Sequence, residues 1–431
     1  MSNKEKATLV PKLRFPEFHS AGKWTTEQLG TVATISTQKV GNNVCVPMSI
    51  TSGVGLVSQE DKFGRVIAGD SYKNYLLLKP NEFAYNKSAT KEYPEGFLTL
   101  YSGTALAAVP NSIFTCFRIN GESPHVGFLN YQFSDNLHGR WLRRFIQVGA
   151  RAHGSLSIND IDLMALPVPV PAGTTSVVEQ QKIADCLSSL DELIAAQARK
   201  VDALKTQKKG LMQQLFPRED ETQPRLRFPE FRDADDWVSS TLGAVFDTTS
   251  GGTPSRAERD YWDGDIPWIT TSLVNFGVIT EAEEYISQAG LKNSSAKLLP
   301  KGAVLIAMYG QGKTRGQVAL LGVEATTNQA CAAVLPKEGI NPYFVFSNLA
   351  GRYEEFRKLS NSGGQENLSQ ALVRDFPFAY PADEMEQQRV TDCLTSLDTL
   401  ITGATQELET LKTHKKGLMQ QLFPSVEAIE A

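Results

Sequence analysis

A repeat constrains this fold more than any other feature of the sequence. Residues 179–217 recur at 386–424 without a gap, and 24 of the 39 positions are identical. Both copies end in KKGLMQQLFP, and neither contains a proline before that last residue. Apolar residues in each copy alternate by four and three over more than four heptads, a pattern typical of a coiled coil. Each copy therefore predicts one long helix, of about 37 residues or roughly 55 Å.

Two helices with matching apolar seams favour pairing with each other as an antiparallel intramolecular coiled coil. The alternative is that each helix is amphipathic and lies on a globular domain. Lys208 and Lys415 fall at a positions, where a charged side chain lowers stability but can define the register. They can equally extend to solvent near a helix end. The seam residues that carry the prediction are Leu187, Leu190, Ile194, Leu204, Leu394, Leu397, Ile401 and Leu411.

Shorter repeats open and close a globular segment before each helix. PKLRFPEF at 11–18 matches PRLRFPEF at 224–231, and each is followed by a tryptophan and a Leu-Gly pair. GSLSINDIDLMALPVPVP at 154–171 parallels GQENLSQALVRDFPFAYP at 364–381. Two copies are too few for a solenoid. The chain is therefore predicted to be a tandem duplication.

The repeats predict a domain at 10–178, a helix at 179–217, a domain at 218–385 and a helix at 386–424. Short apolar runs bounded by glycine and proline predict strands in both globular segments, and WLRRFIQVGA and NPYFVFSNLAGRYEEFRKL predict helices. The predicted fold class is mixed α/β, with two globular domains separated by two long helices. Between their repeated ends the two domains differ strongly in sequence.

Charge and composition indicate the cellular compartment of the chain, but they do not indicate which ligand it binds. The net charge of the 431 residues is −5, with +3 in residues 10–178 and −6 in residues 221–385. This balance does not by itself indicate DNA binding, although a partner could supply positive charge. No run of 18 apolar residues is present, and the five cysteines are scattered. The segment MSNKEKATLVPK has no apolar region of the kind found in a secretory signal, so we expect it not to be one. We expect a cytoplasmic protein with free thiols and no membrane association.

The segment AMYGQGKT at 307–314 comes closest to an enzyme motif. It fits a relaxed phosphate-binding loop, which requires a helix beginning at the Lys-Thr pair. The following RGQVALLG is strand-like instead, and no companion acidic strand for magnesium is evident. A glycine-rich hairpin suits the segment better, presenting Lys313, Thr314, Arg315 and Gln317 for phosphate and base-edge contacts. A plain solvated turn is the remaining alternative.

Other candidate contacts are less sharply defined. Arg256 lies in a segment rich in glycine, serine and threonine, with tryptophans that can staple a core or stack on bases. In the first half we select Lys87, Lys91 and Arg151. The histidines and cysteines lack the spacing of a metal site or a catalytic triad, and NPYF at 341–344 suits a helix start better than a methyltransferase motif. No complete active site is visible, and we expect no cofactor in this chain.

Taken together, these motifs resemble the specificity subunits of Type I restriction–modification systems, over nearly the whole chain. The residues that carry the resemblance are the paired LRFPEF…W…LG, GGTPSR…YWDGDIPWIT, GKTRGQVALLGVEATTNQACAAV, LP…EQQKIADCLSSLDELI and the doubled KKGLMQQLFP. The first half lacks GGTPS, and similar divergence separates the two target recognition domains within the family.

The resemblance implies a division of labour. Each globular segment would read one half of a split, asymmetric sequence in double-stranded DNA, and the antiparallel helices would set the spacing between half-sites. Two modification subunits would carry S-adenosylmethionine and methylate adenine at N6 after flipping it from the duplex. Two restriction subunits would supply ATP hydrolysis and cleavage. This chain would be non-catalytic.

Two other functions remain open from the residues alone. A coiled-coil scaffold without DNA readout would use the helices and leave the variable segments without a ligand. A nucleotide-binding enzyme would use AMYGQGKT, and would lose nucleotide binding when Lys313 is changed to alanine.

Overall fold

A computed structural model describes residues 9–51, 54–146, 156, 158–218, 221–310, 313–361 and 367–424. The chain divides into two compact units, Met1–Gln197 with Glu407–Ala431, and Ala198–Gln406. Each unit therefore combines one globular segment with a part of both long helices. The five cysteines, all among these described residues, form no disulfide. No helix in the described part of the chain is both long and apolar enough to span a membrane.

The first unit is built mainly of short strands, followed by helices. Its strands are β1 (Thr25–Gln28), β2 (Ala33–Ser36), β3 (Val46–Thr51), β4 (Gly55–Ser58), β5 (Leu76–Leu78), β6 (Phe83–Asn86), β7 (Phe97–Leu100), β8 (Ala107–Val109), β9 (Phe114–Ile119) and β10 (Pro167–Val170). Its helices are α1 (Leu29–Val32), α2 (Gln59–Phe63), α3 (Val126–Ser134), α4 (Leu137–Leu142) and α5 (Asp160–Met164), and the long α6 (Ser176–Leu215) begins here.

Two four-stranded sheets form the body of the first unit. One is antiparallel, in the order β2-β9-β6-β7, and the other is mixed, in the order β4-β3-β8-β5. Phe83 on β6 stacks on Phe117 on β9 and meets the edge of Phe133 on α3, so the antiparallel sheet and α3 share one core. This core arises because the strands carry consecutive apolar residues that are buried on both faces.

The second unit repeats this composition with different strands. Its strands are β11 (Val238–Thr241), β12 (Thr248–Ser250), β13 (Trp262–Ile269), β14 (Val278–Ile279), β15 (Glu284–Ile286), β16 (Val304–Ala307), β17 (Val318–Leu321), β18 (Thr326–Thr327), β19 (Cys331–Val334) and β20 (Pro377–Tyr380). Its helices are α7 (Leu242–Val245), α8 (Gln288–Lys292), α9 (Pro342–Gly351), α10 (Tyr353–Asn361), α11 (Gln370–Arg374) and the first part of the long α12 (Glu384–Leu422).

A five-stranded sheet in the order β12-β19-β16-β17-β14 forms the centre of the second unit, beside a three-stranded sheet β15-β13-β18. Helix α9 covers the larger sheet, and its N-cap Asn341 accepts hydrogen bonds from the amides of Tyr343 and Phe344. The Asn-Pro pair at 341–342 is thus a helix start, as its sequence predicts. The mixed α/β class is confirmed, and the apolar runs near 304, 318 and 331 are strands.

The repeated opening and closing motifs pair with each other in each unit. Strands β1 and β10 form one antiparallel ladder, and β11 and β20 form its counterpart in the second unit. Behind the first ladder, Arg14 donates to both carboxylate oxygens of Glu179, while the indole Nε1 of Trp24 donates to the same carboxylate at 3.2 Å. The repeats therefore occur twice because each unit needs both parts of this contact.

The second unit contains the same arrangement. Arg227 donates to both oxygens of Glu386 at 2.8 and 2.7 Å, and the indole of Trp237 donates to that carboxylate at 3.1 Å. Both glutamates begin the EQQ sequence near the start of a long helix, and both are almost completely buried. A buried carboxylate needs such a partner because its desolvation is costly.

The end of each KKGLMQQLFP sequence packs into an aromatic cluster. In the second unit Phe216 lies 5.3 Å from Phe344, which lies 5.5 Å from Trp237, measured between ring centroids. In the first unit Phe423 lies 5.5 Å from Phe128. The duplicated sequence therefore supplies one core aromatic residue to each unit, which explains its strict repetition.

In both units a segment of α6 contacts a segment of α12 through a lysine and an aspartate. In the first unit Lys415 Nζ lies 2.5 Å from Asp191 Oδ1, and Gln197 donates to Glu407 at 2.8 Å. The pairing is antiparallel because the residue number rises on one segment as it falls on the other. In the second unit Lys208 Nζ lies 2.5 Å from Asp398. The seam leucines and isoleucines of both helices are buried or half-buried.

Candidate nucleic-acid interface

The glycine-rich segment at 307–317 joins two neighbouring antiparallel strands. Strand β16 pairs with β17 from Val304↔Leu320 to Ile306↔Val318. The ladder closes where the Gly316 amide donates to the Ala307 carbonyl and the Ala307 amide donates to the Gln317 carbonyl, both at 2.9 Å. We call the described residues of this connection, Met308–Gly310 and Lys313–Gln317, the hairpin tip. The predicted hairpin is therefore present.

This topology is incompatible with a phosphate-binding loop. Such a loop needs a helix whose first turn contains the Lys-Thr pair, so that its free amides face the phosphates. Here the chain turns after Lys313 and continues as β17, four residues past Thr314. Nucleotide binding would require a helix that begins at Lys313 and Thr314, and the chain forms strand β17 after this turn instead. The structure therefore contradicts the nucleotide-binding alternative.

Two contacts support the hairpin tip from outside. The hydroxyl of Tyr353, the first residue of α10, donates to the Lys313 carbonyl at 2.5 Å. The Tyr353 ring in turn meets Phe276 edge to face, at 5.2 Å between centroids. Gly316 has φ +85, and a Cβ there would lie 3.2 Å from the Cβ of Phe356. A side chain at this position would strain the backbone and crowd α10, so glycine is required.

Four predicted contact residues of the second half lie together on this tip. Lys313 is exposed, and Thr314, Arg315 and Gln317 are half-buried. The Gln317 amide donates to Asn275 Oδ1 at 3.1 Å, which fixes the orientation of the Gln317 side chain. An exposed lysine suits a phosphate, and an oriented amide suits the edge of a base. The side chains of the tip are therefore suited to polar recognition of a ligand.

Arg256 belongs to a different surface of the second unit. Its guanidinium makes two hydrogen bonds to Glu284, at 2.6 and 2.8 Å, and lies 3.7 Å from the centroid of the Trp262 ring. The ion pair lowers the pKa of the Glu284 carboxyl. Arg256 thus packs on the small sheet of β13 and β15, and its charge is already compensated. Its assignment to DNA contact stays a prediction.

The first-half candidates lie at separate positions. Lys87 Nζ is 3.3 Å from Asp160 Oδ1, and its side chain is half-buried. Lys91 is exposed on the turn closed by the Thr90 amide and the Tyr93 carbonyl. Arg151 lies outside the described residues. These three residues remain predictions.

Sequence reasoning missed three cations on the second unit. Lys205 and Lys209 are exposed near the end of α6, and Arg218 is exposed just after it. They line a cleft together with Lys313 of the hairpin tip. The run KTQKK at 205–209 was the available signal, but it reads equally well as a solvated helix face.

Residues 234–413, which contain the hairpin and its supports, match the family model of the Type I restriction modification DNA specificity domain. This part of the chain is thus similar to the DNA specificity domains of Type I restriction–modification systems. The chain is 28% identical over 206 residues to the Type I restriction enzyme MjaIX specificity subunit of Methanocaldococcus jannaschii, covering 45% of this chain and 46% of that protein. It is 26% identical over 258 residues to the EcoR124I/EcoR124II specificity subunit of Escherichia coli, covering 58% of this chain and 60% of that protein.

The matched part therefore spans about half the length of these relatives. Similarity in fold extends further. A crystal structure of the Type I restriction–modification S subunit from M. genitalium superposes with a TM-score of 0.56 at 15% identity, covering 97% of this chain and all of the other. The M. genitalium S subunit and this chain thus share their fold along nearly the whole length of both chains.

Proposed function

We propose that this chain is the DNA sequence-recognition subunit of a Type I restriction–modification complex. The observation that carries the proposal is the pairing of constant and variable parts. The same Arg–Glu–Trp contact and the same ladder frame both units. Inside these frames the sheets differ in strand number and order. A constant frame around a changed centre suits two domains that read different sequences.

We further propose the domain scheme predicted from the repeats. Residues 10–178 and 218–385 are two target recognition domains, and residues 179–217 and 386–424 are spacer helices that form an antiparallel coiled coil. The Lys–Asp pairs and the buried seams within each unit support this pairing. The repeats themselves support an origin by tandem duplication.

In this function the chain binds a bipartite, asymmetric site in double-stranded DNA and has no catalytic centre of its own. Lys313, Thr314, Arg315 and Gln317 contact the second half-site. Two modification subunits methylate adenine, and two restriction subunits supply ATP-dependent cleavage, all in the cytoplasm. The net negative charge of the chain accords with basic partners that share the phosphate contacts.

The decisive experiment is methylome sequencing in a host that lacks its own restriction–modification systems. The chain is expressed with the modification subunit encoded beside it, and the modification subunit alone is the control. We expect N6-methyladenine on both strands of a split motif only when the chain is present. The methylation pattern could instead be identical with and without the chain, although the modification subunit is shown to bind it. That result would favour the alternative of a scaffold without DNA readout.

A swap experiment separates recognition from scaffolding. Residues 218–385 are replaced by the corresponding domain of another specificity subunit. We expect one half of the methylated motif to change and the other half to persist. An unchanged motif would mean that the variable domain does not choose the site.

A further inference from the structure

A cleft of about 1260 Å³ opens within the second unit, beside the hairpin tip. The last turns of α6 form one wall, and the end of α9 with the start of α10 forms the other. Its apolar lining includes Met212, Phe216 and Phe346, which also belong to the core of the unit. The walls are therefore rigid, because they are continuous with a packed interior.

Most carboxylates in this cleft are already paired within the protein. Asp398 accepts from Lys208 and from the hydroxyl of Tyr343. Arg352 donates to Glu355 through two nitrogens, and Arg225 does the same to Glu221. These pairs cancel their own charge and leave the field of the cleft to the remaining side chains.

The remaining side chains are mainly cationic. Lys205, Lys209, Arg218 and Lys313 line the cleft and are exposed, and their side chains form no ion pair with a carboxylate within the described part of the chain. The backbone amide of Arg218 donates to Glu221 at 3.2 Å. Against these four stands Glu354, the one lining carboxylate without an ion pair among the described residues. The cleft is therefore a positive site on a chain whose net charge is −5, so it attracts anions locally.

The distribution of these cations suits a chain of phosphates better than one small anion. Lys205 and Lys209 lie one helical turn apart, roughly 6 Å along α6. Lys313 stands on the hairpin tip and Arg218 follows the helix, so the charges come from three separate segments. The cleft also exceeds the roughly 300–1,000 Å³ typical of small-molecule sites.

We infer that this cleft binds the phosphodiester backbone of duplex DNA next to the second half-site. The inference rests on the proposed function, because Lys313 connects the cleft to the hairpin tip that reads bases. A DNA strand bound at the hairpin tip would place its next phosphates against Lys205, Lys209 and Arg218. These contacts carry no sequence information, and they increase affinity and fix the register of the reading hairpin.

The test replaces Lys205, Lys209 and Arg218 together by glutamine in the complex with the modification subunits. A matched control replaces Lys292, Lys301 and Arg232, three exposed cations of the same unit that do not line the cleft. Binding is measured between 50 and 200 mM salt, on a duplex with the motif methylated by the wild-type complex and on a scrambled duplex. The methylated motif is determined in parallel.

We expect the cleft variant to bind both duplexes at least about tenfold more weakly, while the control variant binds like the wild type. The slope of log affinity against log salt should fall by about two to three, since each lost phosphate contact contributes about 0.9. The methylated motif should stay the same. If the triple variant does not fold, each single replacement should lower the slope by about 0.9.

Two results would overturn the inference. Equal affinity and slope for the cleft and control variants would mean that no phosphates lie in the cleft. Loss of assembly with the modification subunit, by a variant that remains folded, would assign the cleft to an acidic segment of that subunit. Failure of the proposed function is distinguishable, because the wild-type chain would then leave the methylated sequence unchanged.

Discussion

The guanidinium of Arg14 holds the carboxylate of Glu179 by two hydrogen bonds, of 2.7 and 2.6 Å. The residues are 165 positions apart, and Glu179 is fully buried. The contact joins the opening motif of the first unit to the start of α6. Its counterpart in the second unit joins Arg227 to Glu386.

Removing either arginine should destabilise its unit strongly. We expect Arg14→Ala and Arg227→Ala each to lower the free energy of unfolding by about 3–5 kcal/mol, because a buried carboxylate is left without its cation. Urea unfolding of the full chain, followed by the fluorescence of the nearby tryptophans, measures the loss. The exposed pair of Arg389 and Glu230 is the control, and Arg389→Ala should cost clearly less. Equal losses would show that burial does not control the energy of these pairs.

The Lys208–Asp398 pair should contribute a measurable coupling between α6 and α12. We expect a double-mutant cycle with Lys208→Ala and Asp398→Ala to give about 1 kcal/mol, reduced from the value of a buried pair because Asp398 is partly exposed. The Lys412–Glu409 pair lies within one helix on its surface and serves as the comparison. The coupling energy of Lys208 and Asp398 could prove no larger than that of the surface pair. The two residues would then not contribute to the pairing of α6 with α12.

Lys313 and Gln317 should affect DNA binding in different ways. We expect Lys313→Ala to weaken binding to all sequences and to reduce the salt dependence, since a lysine contacts phosphate. Gln317→Ala should relax the choice of base at one position of the second half-site, by about 5- to 150-fold in discrimination. Binding titrations and methylome sequencing separate the two effects. A uniform loss for Gln317→Ala would place that side chain on the backbone instead.

Stability of the first unit should depend on pH through His138. This side chain is buried, its Nε2 lies 3.3 Å from the Gly96 carbonyl, and burial lowers its pKa to about 4 from an ordinary value of 6.5. Between these two values the unfolded chain binds a proton that the folded unit does not. The associated stability is therefore fully present above about pH 6.5 and is lost as the pH falls toward 4.

The size of this effect is at most about 3 kcal/mol, from 1.36 kcal/mol per pKa unit. Hydrogen exchange of β6 and α4 amides at pH 7.5, 6 and 5 measures it, with His138→Gln as the comparison. Wild type and variant should converge in stability as the pH falls, because glutamine does not titrate. His414→Gln changes an exposed histidine and should not alter the slope. A constant difference between wild type and His138→Gln would contradict the assignment.

Local sequence patterns were sufficient to predict the main helices and strands of the fold. The heptads predicted both long helices, found as Ser176–Leu215 and Glu384–Leu422. Glycine-bounded apolar runs predicted β16, β17 and β19, and Asn341 with Pro342 predicted the start of α9. Such features are readable because hydrophobic period, capping and turn chemistry act over only a few residues.

The assignment of candidate contacts depended on packing that no local pattern contains. The sequence predicts a DNA contact for Arg256 but does not reveal its ion pair with Glu284, 28 positions away. Lys205 and Lys209 read as an ordinary solvated face, yet they line a cleft with Lys313, more than 100 residues later. Charge in a sequence does not reveal which side chains neutralise each other, because that depends on distance in space.

By itself the sequence determined the repeated frame, the long helices, the hairpin at 307–317 and the family resemblance, because each is encoded in residues close together or in an exact repetition. Only the tertiary structure decided why the repeats are needed: LRFPEF meets EQQ through a buried ion pair, and the phenylalanine of LFP enters an aromatic cluster. It also decided which cations remain available to a ligand. Burial and pairing are properties of the folded chain, since they arise between residues that the sequence separates.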